Sequence, residues 1–308
     1  MSYADLTYSE LSARFATIRQ APLGGHRAPH KPLLILLMLG RYQHSEFAAL
    51  KFADAQEKLS QLLIEFGPPT QTANVLDPFW RLQNDGIWRV KDDTGDRIGE
   101  TVAPPAIALL KERKASGNFS PEISETLRKQ PEYIAQLGRD ILTAHFPSSL
   151  HEDICASVGL EIDSAAGETE SSDRRRRDAD FRPRIIRAYE HRCAVTGWDL
   201  RLVNSDVGLE AAHIKWHTAG GPSTETNGIA LNALHHKLFD LGAFTLSLDR
   251  LPRILVSREV HGGDFARSML IGLHGQEMRA PQDASWLPDH KFITWHHAEV
   301  FKGDARVF

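Results

Sequence analysis

Residues 209–240 read LEAAHIKWHTAGGPSTETNGIALNALHHKLFD, and this stretch decides the fold of the second half of the chain. Its first six residues, LEAAHI, predict a short strand that ends at about His213. Residues 218–226 are rich in Gly, Ser and Thr and predict a loop. Residues 232–241 have apolar side chains at helical spacing. The stretch therefore predicts a strand, a loop and a helix in succession.

Four polar residues of this stretch are candidate functional residues: His213, Asn227, His236 and Asp240. His236 and Asp240 are four positions apart, so they share one face of the predicted helix and can hold one cation together. A histidine with a pKa near neutrality, such as His213, can take a proton from water. A metal ion on the helix can stabilise charge on a phosphate and its leaving oxygen. The pattern therefore offers a base and a cation site that could act together on a phosphate.

The motifs of the stretch resemble those of the HNH, or ββα-metal, nucleases. They are LEAAHI (209–214), GG (220–221), NG (227–228) and HKLFD (236–240), preceded by RCAVTG (192–197). The resemblance implies that His213 is the general base and that Asn227 orients it. It also implies that His236, the last motif histidine, binds a divalent ion, Mg²⁺ or Mn²⁺, and that Asp240 completes the metal site.

Two positions leave alternatives open. His235 is the rival of His236, but the residue one turn after His235 is Phe239 rather than the aspartate. Many HNH enzymes have an acidic or histidine ligand directly before the general base, where this chain has Ala212. Glu210 is the alternative ligand or a support for one.

Two stretches of the first half, HRAPHKP (26–32) and PFWRLQNDGIW (78–88), resemble a second family. It is the sulfur-binding domain that is fused to HNH nucleases in phosphorothioate-dependent, McrA-like restriction endonucleases. The resemblance implies that the partner is double-stranded DNA carrying a phosphorothioate, in which sulfur replaces a non-bridging phosphate oxygen.

Sulfur is larger, softer and less hydrated than oxygen, so an apolar cup beside cations can distinguish it. The candidate cup residues are Pro78, Phe79 and Trp80. The candidate cations are His26, Arg27, His30 and Lys31. They lie just before a helix, whose N-terminus favours an anion. Alternatives stay open: Phe79 and Trp80 can be core residues, His30–Pro32 a plain helix start, and Arg27 a reader of a guanine edge.

The remaining patterns of the first half predict a mixed α/β domain. Helical spacing covers residues 6–19 and 54–66, and a very apolar helix follows Pro32 over residues 33–42, which predicts the core helix of the domain. Asn84-Asp85-Gly86 predicts the turn of a hairpin. Further helices are predicted near residues 104–113 and 131–146.

Composition and charge indicate how the chain is divided. A polar stretch at residues 161–180 predicts a linker between a domain at 1–160 and a nuclease domain at 181–308. Arg174–Arg177 within it is either a solvated charge run or a phosphate-contacting arm. The net charge is −4, yet residues 174–308 hold 19 Lys and Arg against 16 Asp and Glu. The fold class predicted is α+β, with an N-terminal mixed α/β DNA-reading domain and a C-terminal ββα-metal domain.

Two cysteines, Cys155 and Cys193, exclude a disulfide framework and a four-cysteine zinc site. The longest apolar run, residues 32–40, is too short to span a bilayer, and no secretory signal is visible. We therefore expect a cytoplasmic protein without a membrane partner; its oligomeric state is left open, with a homodimer as one option.

The leading functional hypothesis is a modification-dependent HNH endodeoxyribonuclease directed to phosphorothioated DNA. One alternative keeps the nuclease but directs it to a modified base such as 5-hydroxymethylcytosine, which an aromatic pocket for a flipped base would favour. The other is a DNA-binding module whose HNH domain is nearly inactive because of Ala212.

Overall fold

A computed structural model describes residues 5–19, 28–69, 74–96, 98, 104–162 and 172–307, except for the side chains of residues 172–179. His26 and Arg27 lie outside the described residues, and so do the side chains of Arg174–Arg177. The chain divides into two compact units, residues 1–166 and 167–308. Across the described ranges, no helix is long and apolar enough to cross a membrane.

The N-terminal unit is mostly helical, with one small sheet. Its strands β1 (Leu50–Lys51), β2 (Trp88–Lys91) and β3 (Ser116–Phe119) form an antiparallel sheet with β3 in the centre. Its helices are α1 (Tyr8–Ala16), α2 (His30–Gln43), α3 (Phe52–Phe66), α4 (Leu76–Arg81), α5 (Ile107–Glu112), α6 (Pro121–Lys129), α7 (Glu132–His145) and α8 (His151–Val158).

Helix α2 is the core of this unit. Residues 32–40 are all buried, and the helix packs against α3, α7 and α8. Pro32 is the third residue of the helix. The N–H groups of the first turn have no partner within a helix, so the missing N–H of proline is tolerated there. The prediction of a core helix in this segment is confirmed, as are the predicted helices that correspond to α1, α3 and α7.

The predicted hairpin around Asn84-Asp85-Gly86 is wrong. The residues before the turn form α4 and a 3₁₀ turn at Leu82–Asp85, and Gly86 ends that turn with a φ of 76°. The left-handed conformation that glycine adopts ends a helix as readily as it closes a hairpin. Strand β2 pairs with β3 instead, with Trp88 opposite Phe119.

The C-terminal unit consists of small two-stranded sheets and helices around one apolar core. Its strands are β4 (Arg201–Leu202), β5 (Ser205–Asp206), β6 (Leu209–His213), β7 (Gly228–Asn232), β8 (Phe244–Leu246) and β9 (Ile254–Val256). Its helices are α9 (Ser172–Ala188), α10 (Ala233–Asp240), α11 (Asp264–Met269) and α12 (His290–Glu299). The two units together confirm the α+β class.

Strands β8 and β9 pair antiparallel, with Phe244 opposite Val256. Two features of this unit bear on the sequence analysis. Strand β7, which was not predicted, pairs antiparallel with β6 along its whole length, from Leu209 opposite Asn232 to His213 opposite Gly228. Helix α9 begins at Ser172, inside the stretch that was assigned to a linker. Both cysteines of the chain are buried thiols.

Candidate active site

The scaffold of the site is the β6–β7 pair followed directly by α10. Asn232 ends β7 and caps α10, because its side-chain oxygen accepts a hydrogen bond from the backbone N–H of His235 at 2.9 Å. The helix therefore starts at once after the strand. Since β6 pairs with β7, the strand end that carries His213 and the helix that carries His236 are held by one rigid element.

His236 lies between two carboxylates. Its Nε2 is 3.2 Å from Asp240 Oδ2, one turn along α10, and its Nδ1 is 2.7 Å from Glu210 Oε2 on β6. Burial alone would lower the pKa of His236, but the Asp240 carboxylate, followed by Glu210, outweighs it and raises the pKa to about 10. Both ring nitrogens then donate hydrogen bonds to carboxylates. The His236 hydrogen bond in turn lowers the pKa of Glu210.

His213 has the opposite electrostatic environment. Burial, followed by the neighbouring His217, lowers its pKa to about 4, with a smaller lowering from His236, although Asp240 opposes the shift. Its ring stacks on that of Phe181 at a centroid distance of 3.9 Å and an interplanar angle of 14°. At neutral pH the ring is therefore uncharged and able to accept a proton.

Asn227 is fully buried and holds the loop between β6 and β7. Its Oδ1 accepts from the N–H of Lys215 at 2.8 Å, and its Nδ2 donates to the carbonyls of Lys215 at 3.0 Å and Pro222 at 2.9 Å. These bonds all go to backbone atoms. The side chain therefore holds the backbone of the loop, and the role of Asn227 in orienting His213 stays a prediction.

Gly221, the second residue of the loop's glycine pair, must be a glycine for a steric reason. A Cβ on Gly221 would lie 1.9 Å from the carbonyl oxygen of Lys215 and 2.9 Å from Nδ2 of Asn227. Only glycine permits the backbone approach that the Asn227 hydrogen bonds require.

His235 is a structural residue. It is fully buried, and its ring lies 2.9 Å from Asn232 Oδ1 and 2.8 Å from the carbonyl oxygen of Met269. Both ring nitrogens are thus engaged within the core, whereas those of His236 meet the two carboxylates. The geometry favours His236 over His235 for the ligand role.

The donor set of α10 fits a divalent ion. Over the residues that the structure describes, no group of three or more His, Cys, Asp or Glu side chains is arranged to hold a metal. His236 and Asp240 nevertheless offer a nitrogen and a carboxylate oxygen, and Mg²⁺ commonly keeps several waters and takes only one or two carboxylates. The two carboxylates around His236 also attract one positive charge, which a proton now supplies and which a cation can replace.

In the N-terminal unit, the three residues predicted to form a sulfur cup are buried. Phe79 is completely buried, Trp80 is 3% exposed, and Pro78 is buried with them. The Phe79 ring meets those of Phe52 and Trp88 edge to face at 5.1 and 5.8 Å. Phe79 and Trp80 therefore pack in the core, the alternative that was kept for them, and the contact of Pro78, Phe79 and Trp80 with DNA stays a prediction.

Lys31 is part of a largely buried ion pair. Its Nζ lies 2.5 Å from Asp85 Oδ2 and donates to the carbonyl of Arg19 at 2.7 Å. The exposed fractions of the two charged side chains are 13% for Lys31 and 1% for Asp85. The charge of Lys31 thus ties the start of α2 to the turn after α4, and its contact with DNA stays a prediction. His30 is partly exposed. Burial opposes the lowering of the Asp77 pKa, which comes mainly from Arg81 and Asn74 and to the smallest extent from His30.

Residues 8–163, just over half of the chain, match the family model of the ScoMcrA-like DNA sulfur-binding domain. The chain belongs to this family. Residues 193–247 match the family model of an HNH endonuclease, and this range contains His213, Asn227, His236 and Asp240. Both resemblances found in the sequence are confirmed, and the C-terminal unit of this sulfur-binding family member contains an HNH nuclease domain.

Solved structures of sulfur-binding proteins overlap the chain weakly. The sulfur-binding domain of ScoMcrA in complex with phosphorothioated DNA is 20% identical, with a TM-score of 0.41 over 48% of this chain and 94% of that one. The SprMcrA domain in the same kind of complex is 20% identical, with a TM-score of 0.42 over 50% and 98%. The type IV phosphorothioation-dependent restriction endonuclease ScoMcrA is 22% identical, with a TM-score of 0.39 over 52% and 30%. No curated protein matches the chain.

Sequence reasoning missed three side chains that surround His213 or support the loop beside it. Phe181 stacks on its ring, Ser223 Oγ lies 3.2 Å from its Nε2, and Arg184 donates to the carbonyl of Ser223 at 2.7 Å. The one available signal was the pair Phe181 and Ile185, four positions apart in an otherwise basic helix, which indicates a buried face. Nothing in the loop sequence singles out Ser223.

Proposed function

We propose that the chain is a restriction endonuclease that binds phosphorothioated double-stranded DNA through its N-terminal unit. In this proposal its HNH site then hydrolyses nearby phosphodiester bonds. The observation that carries the proposal is the opposed electrostatics of two histidines in one HNH domain, joined to a sulfur-binding family unit in the same chain. His213 is uncharged at neutral pH, while His236 lies in an anionic setting that suits a cation.

His213 acts as the general base in this proposal. Its pKa of about 4 keeps the ring free of a proton at neutral pH, so it can take one from a water molecule that attacks the phosphorus. The proton leaves the water as the new P–O bond forms and the bond to the leaving oxygen breaks. The stacked ring of Phe181 holds the base in one plane, so the lone pair keeps a fixed direction during the transfer.

His236 and Asp240 would hold the divalent ion, Mg²⁺ or Mn²⁺. Such an ion stabilises the negative charge that develops on the phosphate and on the leaving oxygen. Glu210 bonds the other ring nitrogen of His236 and fixes the direction in which Nε2 points. The position directly before the base, Ala212, has no ligand atom, so Glu210 supports a ligand instead of replacing the one that is missing.

Recognition of the modification rests on the family of the N-terminal unit. The partner we propose is a duplex in which a phosphorothioate replaces one phosphate. His26 and Arg27 remain candidate contacts to that group, and His30, partly exposed at the start of α2, is a third. Lys31, paired with Asp85, and the buried Pro78–Trp80 run stay candidate contacts as well.

The test compares three duplexes of one sequence: plain, phosphorothioated, and 5-hydroxymethylated on cytosine. The parent protein and the His213→Ala variant are incubated with each duplex in Mg²⁺ or Mn²⁺. Metal-dependent cleavage of the phosphorothioated duplex alone, absent in the variant, supports the proposal. Equal cleavage of plain DNA, or preference for the hydroxymethylated base, would reject the assignment of the target.

A second candidate is a DNA-binding module with a nearly inactive HNH domain. It is favoured by Ala212 and by the fact that no group of three ligands is found in the described part of the chain. The same assay decides between them, because this candidate binds the phosphorothioated duplex selectively and leaves it uncut at every metal concentration.

A further inference from the structure

The helix before the HNH motif lies against the candidate base. Helix α9 packs on β6, on β7 and on the short turn Glu225–Asn227. Neither matched range, 8–163 or 193–247, includes this helix. Its residues Phe181 and Ile185 are buried, at 3% and 0% exposure.

We infer that α9 carries positioning residues for the base: Phe181 fixes the plane of the His213 ring, and Arg184 fixes the loop whose Ser223 meets the edge of that ring. This inference rests on the proposed function, because it names what makes His213 effective. It gives α9 a role in the site and makes Phe181 and Arg184 positioning residues, since Phe181 acts through the His213 ring and Arg184 through the Ser223 loop.

The contact on the ring face is a close parallel stack. The centroids of Phe181 and His213 are 3.9 Å apart, and their planes differ by 14°. Rotation of the imidazole about its last side-chain bond would drive it into the phenyl ring. The stack therefore limits the torsion that decides where the two nitrogens point, and it removes water from one face of the imidazole.

The contact on the ring edge depends on Arg184. Nε2 of His213 lies 3.2 Å from Ser223 Oγ, and Arg184 Nη2 donates to the Ser223 carbonyl at 2.7 Å. Arg184 Nη1 bonds Glu225 Oε1 at 2.7 Å, while Asn227 Nδ2 holds the Pro222 carbonyl from the other side at 2.9 Å. The segment 222–225 is thus fixed from two directions, and one of these comes from α9.

Other groups near the base do not replace this support. His217 is tilted against His213 at a centroid distance of 5.8 Å and bonds the carbonyl of Gly221 through its Nδ1. Two other groups that influence the charge of His213 are His236 and Asp240, and both belong to α10. A change in α9 therefore alters the orientation of the ring without removing a ligand of the proposed metal.

The experiment uses the full chain with four variants. Phe181→Leu removes the stacked ring, Phe181→Tyr retains it, and Arg184→Gln releases the loop. Phe292→Leu is the matched control, because it makes the same change in the same apolar core, at a residue 5% exposed on α12. Cleavage gives kcat and KM, and NMR of labelled histidine, with His213→Ala for assignment, gives the pKa of the His213 ring.

We expect Phe181→Leu and Arg184→Gln to lower kcat about 10- to 100-fold with little change in KM, as small misplacements of a catalytic group do. In Phe181→Leu the measured pKa of His213 should also rise toward its ordinary value, and Phe181→Tyr should restore both the kcat and this pKa.

If folded Phe181→Leu and Arg184→Gln behave as Phe292→Leu does, the inference is wrong. If Phe181→Leu does not fold, Arg184→Gln decides alone by its kcat. If the parent protein cuts no DNA, the proposed function fails, yet an unchanged or shifted His213 pKa in Phe181→Leu still decides the positioning role.

Discussion

Glu210 on β6 and His236 on α10 are joined by a hydrogen bond of 2.7 Å between Oε2 and Nδ1. The bond ties the strand that ends in the candidate base to the helix that carries the candidate ligands. It also settles which nitrogen of His236 points toward Asp240, because Nδ1 is already occupied. Glu210, which the sequence offered as an alternative ligand or a support for one, thus bonds the candidate ligand His236.

Replacing the base should separate cutting from binding. His213→Ala should abolish cleavage of phosphorothioated DNA and leave its binding within about twofold of the parent, because the proton acceptor and the modification reader belong to different units. Electrophoretic mobility shifts measure binding in the absence of metal, and gel analysis of end-labelled duplex measures cleavage. Cleavage at near the parental rate with Mg²⁺ or Mn²⁺ would refute the assignment of His213.

The ligand residues should differ from their support in severity. We expect His236→Ala and Asp240→Ala to reduce metal affinity strongly, with His236→Ala the more severe. Glu210→Gln should reduce it by about 10- to 100-fold, the usual effect of losing a carboxylate that orients a histidine ligand. Calorimetry with Mn²⁺ measures all three. An unchanged affinity in Asp240→Ala would mean that the second ligand lies elsewhere.

Lys31 now carries a prediction about stability. Because Asp85 is 1% exposed, Lys31→Met would leave its buried carboxylate without the cation and should lower the free energy of unfolding of the N-terminal unit by about 3 kcal/mol. Lys111→Met, at an exposed position of α5, is the control and should change it by less than about 0.5 kcal/mol. Urea denaturation followed by hydrogen exchange of peptides from α2 measures both.

The double variant Lys31→Met with Asp85→Asn tests the cause. If the loss comes from the unpaired carboxylate, the double variant should be more stable than Lys31→Met alone. Equal decreases in the free energy of unfolding of the two proteins would show that Lys31 stabilises the unit through its aliphatic stem and not through its charge.

The helices and the HNH motif could be predicted because their signals are local. The spacing of His236 and Asp240 places them on one helical face, and the apolar run after Pro32 has few alternatives to a core helix. The turn at Asn84–Gly86 misled because the same residues end a helix or close a hairpin, and only the distant strand β3 decides between them. Likewise, burial of Phe79 and the pairing of Lys31 with Asp85 depend on residues far along the chain. The stack of Phe181 on His213 joins positions 32 apart, for which no local pattern exists.

The glycine of the loop should be irreplaceable. Gly221→Ala would place a Cβ 1.9 Å from the carbonyl oxygen of Lys215, so the loop must move and the hydrogen bonds of Asn227 must lengthen. We expect a loss of cleavage of at least about tenfold with the fold retained. Gly263→Ala is the matched control, since a Cβ there meets open space and its φ is −77°. Circular dichroism checks the fold, and an equal loss in both variants would contradict the role given to Gly221.

His296, another buried histidine of the C-terminal unit, should contribute to the acid sensitivity of that unit. Its ring stacks on Phe239 at 3.8 Å and is fully buried. Nε2 donates to the carbonyl of Phe239 at 3.1 Å, so the Thr245 hydroxyl, 2.9 Å from Nδ1, is the donor of that bond. This arrangement satisfies the neutral ring, and burial lowers the pKa of His296 to about 3.

Acid should therefore destabilise the C-terminal unit through His296. Between the ordinary histidine pKa of about 6.5 and the folded value of about 3, the unfolded chain binds a proton here that the folded chain does not. The contribution of His296 to the free energy of unfolding is therefore complete above pH 6.5. It decreases as the pH falls, by up to about 1.4 kcal/mol per pH unit. His213 acts in the same direction down to about pH 4.

His296→Gln retains a donor for the Phe239 carbonyl and cannot titrate. Its free energy of unfolding at pH 7 should be lower than that of the parent, but this free energy should change less with pH between pH 6.5 and 5. Urea denaturation read by hydrogen exchange of peptides from β8 and α12 measures the slope, and a slope equal to that of the parent would place the acid sensitivity in other residues.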